Sequence, residues 1–82
     1  MIYKLAFKKS VARDLKKLEP DQADRILEKI EMDLPEKAGR FPLLKGKFAG
    51  LRRFRVGDYR VIYTLIEDTA LILRISHRRE SY

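Results

Sequence analysis

Arginine recurs in the second half of this chain at spacings that suit one kind of chemistry, the holding of phosphate. Arg52-Arg53-Phe54-Arg55 is followed by Arg60, and the chain closes with Ser76-His77-Arg78-Arg79-Glu80-Ser81-Tyr82. A guanidinium is planar, permanently charged and able to bind a phosphate with two parallel hydrogen bonds. Alternation along an extended segment puts Arg53 and Arg55 on one face. Gly57-Asp58 is a hairpin signal that returns Arg60 beside them. The His-Arg tail leaves the end of the last apolar run. If the three clusters meet, several guanidiniums lie side by side with few acids among them, and an anion completes the arrangement.

Each of these residues also has an ordinary role open to it. Arg53 and Arg55 fit solvated positions on an exposed sheet face. Arg60 fits a hairpin ion pair with Asp58 or Glu67. A lone histidine is more often exposed or capping than catalytic, and a terminal Tyr82 is usually frayed. Co-location tips the balance toward a shared site.

Composition narrows the field. The 82 residues carry 19 Lys+Arg against 12 Asp+Glu, a formal net charge of +7. Residues 1–40 hold ten basic and eight acidic side chains, a net +2, whereas residues 41–82 hold nine and four, a net +5. The polyanion signal therefore belongs to the second half. At 45% hydrophobic the chain has material for one core in one domain spanning 1–82. Without cysteine there is no disulfide framework and no thiolate zinc site, and one histidine is too few for an imidazole metal site. No run has signal-peptide or membrane-span length, so a soluble cytoplasmic domain without cofactor is expected.

The elements that must position the arginines follow from periodicity. Ile2, Leu5 and Phe7 mark a first strand. Ser10 reads as an N-cap for a helix carrying Val11, Ala12, Leu15 and Leu18. Glu19-Pro20-Asp21 breaks it and starts a second helix, with Ala23, Ile26, Leu27, Ile30 and Leu34 as its stripe and Pro35 as its end. Residues 35–50 contain two of three prolines and three of four glycines and form a loop that includes Lys45-Gly46-Lys47. Period two then takes over. Phe54 and Val56 face inward, residues 59–66 form a strand, Glu67-Asp68-Thr69 turns, and residues 70–75 form the last strand. The expectation is an α+β fold, β-α-α-β-β-β, with a helical hairpin packed on one face of a largely antiparallel sheet.

The run Leu51-Arg52-Arg53-Phe54-Arg55-Val56-Gly57-Asp58-Tyr59-Arg60-Val61-Ile62-Tyr63 resembles the signature strand pair of the RelE/ParE toxin superfamily. Lys45-Gly46 resembles the element before it, and Ser76-His77-Arg78-Arg79 with Tyr82 resembles the closing element. The resemblance covers essentially the whole chain. It implies the toxin of a type II toxin–antitoxin pair. Its RelE branch consists of endoribonucleases that cut mRNA in the ribosomal A site, lined by 16S rRNA, whereas its ParE branch poisons DNA gyrase. By resemblance Arg53 and Arg55 match the paired basic residues of the RelE site, Arg60 its central phosphate-binding arginine, Arg78 its acid and Tyr82 its base. Lys45, Lys47, Arg52 and Arg79 are accompanying cations expected to contact RNA. Arg53 and Arg55 stand where the best-known RelE sequences have lysines, and an arginine cannot serve as a base.

The residues support that chemistry independently. RNA is cut without metal when its 2′-OH attacks the adjacent phosphorus, given a base, an acid and positive charge for the phosphorane. Arg53, Arg55 and Arg60 supply charge where it grows. Tyr82 takes a proton only if neighbouring arginines lower its pKa from about 10. His77, whose imidazole can both donate and accept a proton, is an alternative acid or base. Expected partners are a cognate antitoxin, mRNA and the ribosome, with no membrane. A ParE-like gyrase inhibitor and a non-catalytic RNA-binding module are the competing readings.

Overall fold

A computed structural model describes residues 2–44 and 50–77. The order is β1 (Lys4–Phe7), α1 (Lys9–Lys16), α2 (Pro20–Lys37), β2 (Leu51–Val56), β3 (Tyr59–Ile66) and β4 (Thr69–His77). The strands form one sheet in the order β1-β4-β3-β2. Neighbours β2–β3 and β3–β4 are antiparallel, but β1 lies parallel to β4, so the sheet is mixed. The parallel pair follows from the connection. A helical layer separates β1 from the later strands, and such a crossover returns the chain in the starting direction.

Both helices press on one face. Ile26, Ile30 and Leu34 of α2 and Val11 of α1 are fully buried against Phe54, Val56, Val61, Tyr63, Ala70, Ile72 and Ile75. The 3.6 period of one layer thus meets the 2.0 period of the other. Helix α2 continues through Pro35 to Lys37 instead of ending before it. Proline there removes a single ladder bond, and its own carbonyl accepts the Tyr3 N–H at 2.7 Å, which ties β1 to the helix end.

Ser10 does not cap α1. Lys8 occupies that position without a side-chain bond. Ser10 Oγ instead donates to the Leu73 carbonyl at 3.3 Å, and the Asp14 carboxylate accepts the Ile75 N–H at 3.0 Å. Beyond Phe7, β4 has lost its neighbour β1, so its outer backbone groups need partners. Two side chains one helical turn apart on α1 provide them.

Candidate functional site

Strand register fixes where each arginine stands. Arg55 lies directly opposite Arg60, and Arg53 lies opposite Ile62. Since Phe54, Val56, Val61 and Tyr63 point into the core, Arg53, Arg55, Arg60 and Ile62 share the face away from the helices. Directly opposed like charges are unfavourable across a strand pair, so the Arg55–Arg60 pairing is not explained by stability. Arg53 and Arg55 are exposed and Arg60 is half-buried. Arg55 Nε donates to the Gly57 carbonyl at 3.2 Å, which draws its guanidinium toward the β2–β3 turn. Gly57 has φ 57°, and Asp58 does not have positive φ, which is the pattern of a type II′ turn.

The electrostatics of this face are one-sided. None of the four strands contains an aspartate or glutamate. The acids near the sheet sit in its turns, at Asp58, Glu67 and Asp68, and at the β4 edge, where Asp14 of α1 accepts the Ile75 N–H; Asp68 pairs with Lys4 at 3.7 Å. A row of guanidiniums without interleaved carboxylates keeps its positive potential for a ligand.

A fourth arginine joins them, and sequence reasoning missed it. Arg74 pairs with Ile62 across β3–β4, giving a lateral row Arg53–Ile62–Arg74 beside the row Arg55–Arg60–Ser76. A sequence signal existed, since Arg74 is the one charge inside the apolar run 70–75.

Two expected site residues stand on the other side of the sheet. Arg52 Nη1 donates to the Phe41 carbonyl at 2.7 Å and the Gly39 carbonyl at 3.3 Å, so this residue clamps the loop after α2 instead of facing outward with Arg53. Nearby, Tyr63 Oη donates to the Ala38 carbonyl at 2.6 Å, and a Cβ on Gly39 would meet the Tyr3 hydroxyl at 3.1 Å. Burial pushes the Tyr63 phenol up to about 12, against a smaller lowering by the Arg52 charge.

His77 pairs with Tyr59, whose side chain packs on the core, and the two rings meet edge-on at 5.2 Å. The histidine therefore lies on the helix side and does not converge with Arg53, Arg55 and Arg60. With Asp14, Lys17 and Arg74 it borders a cleft of about 140 Å³ at the β4 edge. Lys45, Lys47, Arg78, Arg79 and Tyr82 lie outside the described residues. Among the described residues no group of His, Asp and Glu is placed to hold a metal ion, and no helix is long and apolar enough to cross a membrane.

Comparison with known proteins places this geometry. Residues 5–82 match the family described as ParE toxin of type II toxin–antitoxin system, parDE. The toxin–antitoxin complex RelBE2 of Mycobacterium tuberculosis contains a chain that superposes with a TM-score of 0.88 at 32% identity, covering 95% of this chain and 100% of that one. In the archaeal RelE–RelB complex of Pyrococcus horikoshii the values are 0.73 and 29%, over 99% and 100%. The chromosomal ParDE system of P. aeruginosa, at 18% identity, TM-score 0.74 and coverage of 93% and 96%, shares the fold. Among curated proteins none matches the chain.

Proposed function

This chain belongs to the RelE/ParE superfamily and is a type II toxin–antitoxin toxin, and from that premise we propose that it is a ribonuclease of the RelE kind, cutting mRNA in the ribosomal A site. The observation that carries the proposal is the acid-free sheet face on which Arg55 opposes Arg60 beside Arg53. A toxin acting only by protein–protein docking has no need of such a cluster, whereas a phosphate gaining charge during reaction does.

In the proposed reaction the 2′-OH of one nucleotide gives its proton to a base and attacks the adjacent phosphorus. The P–O5′ bond breaks, the departing oxygen takes a proton, and the products carry a 2′,3′-cyclic phosphate and a 5′-OH. Arg60 sits between Arg55 and Ser76 across the strands and is assigned to the non-bridging oxygens, with Arg53 and Arg55 flanking the phosphate. Tyr82 is the base by family resemblance. Arg78 matches the family's acid, but a guanidinium is a poor proton donor, so it is assigned as a further positive charge and the departing oxygen takes its proton from water. His77, facing the helices against Tyr59, is left out of the proton transfers. A cognate antitoxin is the proposed protein partner, supported by the toxin–antitoxin complexes in which its structural relatives were solved.

One observation favours a second reading, because the matching family is described by ParE. In that case the chain would inhibit gyrase and cut nothing. Induced expression followed by mapping of transcript 5′ ends separates the two. New ends within translated codons, lost in Arg60→Ala and in a chain lacking Tyr82, support the ribonuclease. Intact transcripts with gyrase-dependent DNA breaks support the inhibitor.

A further inference from the structure

The β4 register contains an irregularity that the proposed reaction does not use. Ile62 pairs with Arg74 and Tyr63 with Ile72, so Leu73 is an extra residue on β4. Ile72 and Ile75, three apart, are both buried in the core against the helices. Strict alternation from Ala70 and Ile72 would instead have sent Arg74 into that core, where an unpaired charge is prohibitively costly. The bulge shifts the phase by one and turns Arg74 onto the arginine face, the use that bulges commonly have beside functional sites.

There Arg74 faces Arg53 across Ile62. Ile62 is only 3% exposed although no helix covers that face among the described residues. Its lateral neighbours are the two arginines, whose aliphatic stems cover such a residue while their charged ends stay in water. Arg53 and Arg74 are two strand spacings apart, about 10 Å. The Arg55–Arg60 row lies two residues further along the strands, about 7 Å away. That spread is too wide for one phosphate group. It fits successive phosphates of an extended single strand.

We infer that Arg74, turned outward by the Leu73 bulge, binds the RNA phosphate next to the one that reacts. This rests on the ribonuclease reading above, and the test distinguishes the failure of each. The probe is a single-stranded RNA made uncleavable by a 2′-deoxy substitution at the cut position, titrated by fluorescence anisotropy over a series of KCl concentrations.

Arg74→Gln is expected to weaken binding and to lower the slope of log affinity against log salt by about 0.7, one phosphate contact on a single strand. Arg74→Lys is expected to keep the slope. Both variants should keep the thermal midpoint of the unsubstituted chain. At saturating RNA, Arg74→Gln should cut within about tenfold of the unsubstituted rate, because the contact is to a phosphate that does not react. An unchanged slope in Arg74→Gln, together with a reduced slope in Arg60→Ala, overturns the assignment of Arg74 and leaves the ribonuclease reading standing. Absence of RNA binding by the unsubstituted chain overturns the assignment of Arg74, and overturns the ribonuclease reading as well if mRNA on programmed ribosomes is also left uncut.

Discussion

Arg60 holds its position by strand pairing, with Arg55 on one side and Ser76 on the other, on the face away from the helical layer. Replacing it should therefore separate activity from folding. Arg60→Ala is expected to leave the thermal midpoint within a few degrees while abolishing growth inhibition on induced expression. Tyr63 is the reverse case, a buried side chain on the helix face whose hydroxyl donates to the Ala38 carbonyl. Its folded-state pKa, about 12, stands above the ordinary value of 10.0 because burial penalises the phenolate. Stability from this group is thus complete below pH 10 and is lost as pH rises through about 12. Urea unfolding of the unsubstituted chain should show that loss, and Tyr63→Phe should lack this slope. At pH 7 Tyr63→Phe should cost about 1 kcal/mol, the bond to the Ala38 carbonyl. The period-two rule that unites Arg53 with Arg55 also sends Arg52 to the opposite face, so its clamp on the loop carbonyls was partly legible. The carbonyls it would find were not, because their position depends on how far α2 extends.

Among the elements, α1 finishes the sheet by serving the β4 edge with Ser10 and Asp14. Asp14→Ala should leave the partly buried Ile75 N–H without a partner, a loss of about 1–3 kcal/mol. For a domain of this size each kcal/mol lowers the midpoint by roughly 4–8 °C, which scanning calorimetry would register. The β3–β4 turn holds the opposite opportunity. Glu67 has φ 55°, a conformation costly to any residue with a Cβ, so Glu67→Gly should stabilise by up to about 1 kcal/mol in urea unfolding. Helices and strands were legible because burial imprinted its period on residues 11–34 and 51–66. The turn at Gly57-Asp58 was legible from glycine itself. What periodicity concealed was the Leu73 bulge. In a run as apolar as residues 70–75 both phases look alike, and a one-residue shift moves Arg74 and Ser76 to the open face and His77 to the helices. The parallel pairing of β1 with β4 was equally hidden, since four residues of strand carry no mark of direction.

At the scale of the whole molecule, charge is partitioned by architecture. The helical half carries balanced signs, and the four strands carry no acid at all. The second half carries +5 of the net +7, and four of its arginines, Arg53, Arg55, Arg60 and Arg74, share one sheet face, opposite the face that builds the core. This division builds the core on one side of the sheet and gathers arginines on the other. On the ribonuclease reading the arginine face stabilises charge developing on a phosphate, beyond merely attracting RNA. The most direct measurement is the single-turnover cleavage rate of mRNA on programmed ribosomes, unsubstituted chain against Arg60→Ala, alongside affinity for the uncleavable RNA. The expected result is a fall of about 10²–10³ in rate, as when one preorganised charge contact is removed, with less than about a tenfold loss in affinity. An unchanged rate, or a loss carried wholly by affinity, would contradict it.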